Sequence, residues 1–248
     1  MTTPCRLACL LYHEVTSDPT TSGFQRPAAR RYTHTPELFR RHLDQIALSG
    51  LTPKRVHEVE MQRPGRHLLL TFDDGGRSAR FVADELARRG WPGHFFIVTS
   101  RIGSDTFLSA SDIRQLRSDG HVIGSHSHTH PDIFRDGSRN VMLEEWRISR
   151  KILEDLLGEP CTAAAVPGGD ISAEVLETAR DAGYQYVFTS EPWITPWPIG
   201  GSWIVGRVCL KAGTPPETVA ALTQFRGWGR ARLVRALKDV ARYGLGPL

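Results

Sequence analysis

Two carboxylates stand side by side in the stretch His67-Leu68-Leu69-Leu70-Thr71-Phe72-Asp73-Asp74-Gly75-Gly76. Neighbouring like charges repel, so keeping Asp73 and Asp74 both ionised takes a cation; otherwise one of them holds a proton. A second cluster follows at His126-Ser127-His128-Thr129-His130. His126 and His130 are four apart, so one helical turn brings both imidazoles to one side. An extended backbone would instead align all three histidines, because side chains repeat every second residue. Two imidazoles and one carboxylate form an N,N,O donor set with open positions, as in catalytic metal sites. Two questions stay open at this point. Asp74 could simply cap a helix that starts at Gly75, and by spacing His128 could join the donor set.

Both clusters need strands that end beside them. His67 to Phe72 is mostly apolar and is followed by Gly75-Gly76, where the backbone can turn sharply. Val122-Ile123 is a second short apolar run, and the histidines follow it. Around them the chain alternates strand and helix. Leu7–Tyr12 is an apolar run ending at His13-Glu14, and residues 16–35 read as a long loop. Thr35 can cap a helix over 36–48 with Pro36 at its first position. Further helices are expected over 78–88, over 112–118 with Ser111 as cap, and over 139–157. That last helix presents Met142, Trp146, Ile148, Ile152 and Leu153 on one face. Strands are expected over 93–98, 162–166 and 184–188. A last strand, 203–210, is broken by Gly206. A helix over 171–182 has Asp170 or Ser172 as its cap. Helices over 216–225 and 230–242 close the chain, the second with Leu233, Val234, Leu237 and Val240 on one side. Alternating βα units imply an α/β fold, a parallel barrel or sheet with its site at the carboxyl ends of the strands.

The bounds fit one catalytic domain of 248 residues, 40% of them hydrophobic. No stretch is long and apolar enough to span a bilayer. The start Met1-Thr-Thr-Pro-Cys-Arg lacks the features of a signal peptide, which sets a cytoplasmic expectation. Cys5, Cys9, Cys161 and Cys209 have no zinc-ribbon spacing and suit reduced thiols. The net charge of +4 is spread along the chain, and lysine occurs only at Lys54, Lys151, Lys211 and Lys238. No basic patch interleaved with aromatics is present, which argues against nucleic acid.

Thr71-Phe72-Asp73-Asp74-Gly75 and His126-Ser127-His128-Thr129-His130 resemble the first two motifs of the polysaccharide deacetylase family, the NodB-homology or carbohydrate esterase family four group. Leu11-Tyr12-His13-Glu14-Val15 resembles the opening Tyr-His-x-Val of many bacterial members. The likeness runs over roughly residues 8–213, with the C-terminal helices of 214–248 beyond it. It implies a distorted (β/α) barrel of about seven parallel strands. It also implies a metal-dependent N-deacetylase acting on an N-acetylated amino sugar in a glycan or its precursor. Asp74, His126 and His130 map onto the metal ligands and Asp73 onto the general base. The ion is a divalent one, zinc first, with cobalt, manganese or nickel as alternatives. His128 falls outside the family's ligand pattern.

The chain also departs from the family. Where the third motif has an arginine that orients the base, this sequence has Ala165, although Ala165-Val166-Pro167-Gly168-Gly169 keeps the proline and the last glycine. The late histidine that usually serves as general acid is missing from Arg207-Val208-Cys209-Leu210-Lys211. Arg207 is therefore expected to approach Asp73 in place of the missing arginine. His13, at a strand end and titrating in a useful range, is expected to face the cavity as general acid or substrate ligand. Pro167, Gly168 and Trp193 are the expected substrate-binding positions, Trp193 as a wall of the acetyl pocket. Two other readings remain: the same mechanism on another small N-acyl metabolite, or a non-catalytic carbohydrate-binding relative.

Overall fold

The computed structural model describes residues 4–169 and 171–243, with side chains as far as 237. In chain order its elements are β1 (Cys5–Tyr12), β2 (Glu14–Val15), β3 (Thr33–His34), α1 (Pro36–Ala47), β4 (Gly65–Phe72) and α2 (Ala79–Ala87). There follow β5 (His94–Ile97), α3 (Ala110–Ser118), β6 (Val122–Ser125), α4 (Arg139–Leu157), β7 (Ala163–Ala165) and α5 (Ala173–Asp181). The last are β8 (Tyr186–Phe188), β9 (Trp197–Ile199), β10 (Ser202–Val205), β11 (Val208–Cys209), α6 (Pro216–Thr223) and α7 (Trp228–Tyr243). β3 is the strand end expected just ahead of α1, whereas the hairpin strand β9 and the two-residue β2 carry too few residues to show a period.

Nine strands form one sheet in the order β11-β1-β4-β5-β6-β7-β8-β10-β9, parallel throughout except for β9 against β10. β10 and β11 are the two halves of the strand expected over 203–210. The first half pairs with β8 and the second with β1, so one covalent segment ties the two ends of the sheet together. Near the other end of β1, the Leu7 amide donates to the Ile194 carbonyl at 2.6 Å. The sheet is thereby curled into an interrupted barrel, with seven principal parallel strands. The interruption at Gly206 has a steric cause. A Cβ there would lie 2.4 Å from the Trp193 carbonyl oxygen and 2.6 Å from that of Glu191.

Side chains alternate across the curled sheet. Leu7, Cys9, Leu69, Phe96, Ala163, Ala165, Phe188 and Val205 fill the barrel interior with Val56, Val59 and Met61. Ala8, Leu10, Leu68, Leu70, Phe72, Phe95, Ile123, Ala164 and Val187 face outward to the helices. Burial on both faces is why these strands read as continuous apolar runs. Continuing the inward parity past the strand ends leads to His13 after β1, Asp73 after β4, His126 after β6 and Arg207 after β10. One end of the barrel thus collects the polar residues.

Thr35 caps α1 and Ser172 caps α5 through their side chains. Asp170 lies outside the described residues. α3 starts earlier than expected: Ser109, not Ser111, caps it, sharing a reciprocal pair of bonds with Asp112. On α4, Met142, Trp146 and Leu153 are buried, but Ile148 points outward. The expected apolar side of α7 does not enter the core. Leu233 and Leu237 are about 60% exposed (62% and 61%), and the side chain of Val240 lies outside the described residues. The 16–35 loop is ordered by a short helical turn, Ala29–Tyr32, and by β3 pairing with β2. The cysteines are unbridged. No helix among the described residues is long and apolar enough to cross a membrane.

Candidate functional site

The acid pair sits one step beyond β4. The Asp73 amide still donates to the Tyr12 carbonyl, at 3.0 Å, extending the β1–β4 ladder. A continued strand would send Asp74 to the opposite face. Instead Asp74 and Gly75 take left-handed φ values of 75° and 77°. This costs an L-residue such as Asp74 roughly 1 kcal/mol or more, and it swings both carboxylates toward one imidazole. Nε2 of His126 lies 3.7 Å from Asp73 Oδ2 and 3.5 Å from Asp74 Oδ1. Asp74 is not a helix cap, since α2 begins at Ala79.

The histidine segment is neither a helix nor a strand. His126 still pairs with β5, its amide donating to Ile97 at 2.8 Å. Ser127 and His130 then turn left-handed, with φ of 61° and 57°. Ser127 Oγ accepts from the His130 amide at 3.1 Å. Glu145 of α4 clamps the turn by accepting from the amides of His128 and Thr129, at 2.9 and 2.8 Å. The turn brings the rings of His126 and His130 to 4.9 Å and places His130 Nε2 3.7 Å from Asp74 Oδ1. It rotates His128 away to bond Thr99 Oγ1 at 3.0 Å. His128 is therefore outside the cluster, which answers the question its spacing left open. Backbone strain of this kind gathers at functional sites.

One ligand atom from each of Asp74, His126 and His130 lies within 4.8 Å of the others. His126 is set for ligation: its Nδ1 faces the Ala165 carbonyl at 2.9 Å. A carbonyl only accepts, so Nδ1 carries the proton and Nε2 offers its lone pair toward Asp74. Among the described residues nothing donates a hydrogen bond to the Asp74 carboxylate. Burial raises its pKa to about 7, the charges of Asp73 and Glu14 add to that, and His13 opposes it. Burial pushes His126 down to about 3 and lowers His130 as well, so both imidazoles are neutral, as ligation requires. The donor set, tautomer and electrostatics all fit a divalent cation.

Arg207 approaches Asp73 as expected, through a two-pronged pair with Nη1–Oδ1 at 2.7 Å and Nη2–Oδ2 at 2.9 Å. Its Nε donates to the Thr189 carbonyl at 2.8 Å, and its guanidinium lies over Phe96 and Phe188. The arginine is fully buried. Burial alone would raise the Asp73 carboxyl, but the charge of Arg207 and its hydrogen bonds outweigh it. Asp73 is held below the usual carboxylate range.

These groups open into a cavity of about 920 Å³ that is also lined by His13, Tyr32, Gly168 and Ser190. The His13 ring stacks on Tyr32 at 4.8 Å, and its buried Nδ1 has no hydrogen-bond partner. Two expected substrate contacts are corrected. Trp193 does not line the cavity, because its ring packs against Trp197 at 4.4 Å; Pro192 reaches the cavity instead. Pro167 is buried beneath the turn, and Gly168, with φ of 65°, is exposed at the lining. Two carboxylates had no signal of their own in the sequence. Glu145 holds the histidine turn. Glu14 is buried beside Gly76 and accepts hydrogen bonds from Ser22 and Ser78.

The model of the polysaccharide deacetylase family matches residues 60–187. A chitooligosaccharide deacetylase of Sinorhizobium fredii is 31% identical over 189 residues, covering 68% of this chain and 85% of the relative. The peptidoglycan-N-acetylglucosamine deacetylase PgdA of Listeria monocytogenes is 27% identical over 141 residues, which is 56% of this chain. The match spans only 29% of that longer relative. Among solved structures, the Streptococcus pyogenes deacetylase PplD in complex with acetate superposes with a TM-score of 0.73 at 21% identity. The superposition covers 88% of this chain and 97% of PplD. IcaB from Ammonifex degensii gives 0.73 at 24% identity, over 90% and 98%. At these identities the structural likeness is one of fold.

Proposed function

This chain belongs to the polysaccharide deacetylase family, and from that premise we propose that it hydrolyses the acetamido group of an N-acetylated amino sugar in a glycan or glycan precursor. One observation carries the reading. Asp74, His126 and His130 converge to within 4.8 Å, and Asp73, held separately by Arg207, faces the same point. Ligation and base chemistry thus fall on different side chains.

Asp74, His126 and His130 would hold the ion. Zinc suits the mixed N,N,O donor set best, with cobalt, manganese and nickel as substitutes. When bound, the ion supplies Lewis acidity that polarises the amide carbonyl and acidifies water. Asp73 accepts the proton of the attacking water. Its lowered pKa keeps it ionised, and Arg207 fixes both of its oxygens. Collapse of the adduct expels an amine, which must be protonated to leave. His13 lines the cavity beside these groups and is the donor we assign, its ring angle set by Tyr32.

The test is acetate release from N-acetylglucosamine oligomers by chelator-treated protein reloaded with each divalent ion in turn. Turnover that follows metal content supports the reading. Full turnover in metal-free protein overturns it.

A further inference from the structure

The catalytic groups occupy one side of a cavity far larger than an acetamido group. Its other side is built by β11, α6, α7 and the turns between them, and its chemistry differs. Outside the catalytic centre, Arg26, Lys211, Arg226, Arg230 and Arg235 line the cavity. Asp132 pairs with Arg26, and Glu191 with Arg235. Among the described residues Lys211 and Arg230 have no ion pair, and Arg226 donates to the neutral amide oxygen of Gln224. Among the described residues Glu217 is the one acid on this side, and the wall between the charges is aliphatic, including Ala221, Leu222 and Val234. The aromatic rings of the lining, Phe24 and Tyr32, both belong to the opposite 16–35 loop.

A neutral pyranose is held by stacking on rings and by mixed donors and acceptors. Among its described residues this wall offers neither rings nor a balance of charge. Lysine and arginine are donors only, and the guanidinium fork matches the oxygens of a carboxylate or phosphate. Cations collected in a concave site reinforce one another's field and raise the local concentration of anions.

We propose that the substrate carries an anionic group, a carboxylate or a phosphate, which Lys211, Arg226 and Arg230 engage while the acetamido group sits at the catalytic centre. The enzyme therefore prefers an acidic N-acetylated sugar to a neutral one. This rests on the deacetylase reading and adds the substrate class to it.

The experiment compares kcat/KM for three acetylated substrates: a neutral N-acetylglucosamine oligomer, an N-acetylmuramoyl oligomer of equal length, and N-acetylglucosamine 1-phosphate. The expected result is a preference of about tenfold for at least one anionic substrate, weakening as salt screens the charges. Preference for the muramoyl oligomer alone assigns a carboxylate, and for the phosphate alone a phosphate. In the Lys211→Ala/Arg226→Ala/Arg230→Ala variant, with its fold checked by circular dichroism, the ratio of anionic to neutral kcat/KM should fall to roughly one. Glu217→Gln should raise the ratio. A wild-type ratio at or below one, or a triple variant that keeps the wild-type ratio, overturns the proposal. Calorimetric titration of the same compounds into Asp73→Asn protein separates the two readings. Anion-selective binding without turnover in wild type overturns the deacetylase reading alone, and equal binding of neutral and anionic compounds overturns the anion site.

Discussion

Arg207 grips Asp73 across 134 positions of sequence, one nitrogen on each carboxylate oxygen at 2.7 and 2.9 Å. Both side chains are shut away from solvent. Such a pair is held in one geometry, and a base that must point at water needs that geometry. Arg207→Lys keeps a charge but loses the fork, so kcat should fall about 10²-fold with a modest change in stability. Arg207→Ala leaves a buried carboxylate unpaired and should cost about 3–5 kcal/mol. Urea unfolding and acetate-release kinetics measure the two effects. A lysine variant turning over within threefold of wild type would show that the fork does not position the base.

This pair was legible through the family resemblance, in which the third motif usually carries an arginine that this chain lacks, so that Arg207 was expected in its place. The alternating inward parity of the strands carried most of the fold, and the break at Gly206 was visible because only glycine tolerates the backbone of Glu191 and Trp193 so close. The histidine turn was less legible. A helical period joins His126 to His130 and an extended one joins all three histidines, and the choice was made by left-handed Ser127 and by Glu145, a residue on a distant helix. Trp193 failed as a pocket residue because an aromatic in a loop looks the same whether it faces a ligand or another tryptophan. The cationic wall was illegible, since Lys211, Arg226 and Arg230 are scattered in sequence and meet only when α6 and α7 fold over the barrel mouth.

Splitting ligation from base chemistry gives opposite outcomes for neighbouring acids. His126→Ala and Asp74→Ala should lose bound metal and activity together, because each supplies one of three donors. Asp73→Asn should keep its metal and lose turnover by about 10³-fold or more. Plasma emission analysis of the dialysed variants gives the metal content. Full metal in the His126 variant would remove the ligand assignment.

His13 stands beside the acid pair in the cavity, where it can hand a proton to the leaving amine. His13→Gln keeps the size and polarity of the side chain but removes the proton donor. It should lower kcat by about 10²-fold with little change in KM. The loss should be smaller for a substrate whose amine is a better leaving group. Equal losses for good and poor leaving groups would assign the acid to another group.

Glu14 fastens the 16–35 loop to the metal motif. Its Oε2 accepts from Ser22 in that loop and from Ser78 just ahead of α2, while Oε1 is buried between Gly23 and Gly76. The loop in turn supplies Phe24, Arg26 and Tyr32 to the cavity. Glu14→Ala removes both bonds, at a cost of about 2 kcal/mol, and should raise KM several-fold. Trypsin then gains access to Arg30 and Arg31, so cleavage there should speed up. Unchanged protection of the loop would mean that other contacts hold it.

Buried histidines outside the site, His94 and His121 among them, should help to set the acid limit of stability. His94 donates from Nδ1 to the Leu70 carbonyl at 2.9 Å and accepts from the Val56 amide at Nε2, also at 2.9 Å. His121 accepts from the Gly93 amide at Nδ1, at 3.0 Å. An acceptor nitrogen cannot also hold a proton, and burial opposes the charge; each is pushed down to about 4, His94 by burial and the charges of His57 and His121, His121 by burial and Arg55. In the unfolded chain both titrate near 6.5. Above about pH 6.5 both states are neutral and the full stability is present. As pH falls from about 6.5 toward 4, the unfolded chain takes up protons that the fold refuses. Stability then drops by as much as ~1.4 kcal/mol per pH unit for each histidine. Below about 4 the fold is protonated too and this contribution stops growing. Glu14 and Asp74, both raised by burial, bind protons in the fold and act in the opposite sense. The measurement is therefore a difference: urea unfolding of wild type and His121→Asn between pH 7.5 and 4.5. Asparagine can still accept from Gly93 but cannot titrate, so the variant should show a slope shallower by about one proton. Parallel slopes in the two proteins would mean that His121 is already charged in the fold.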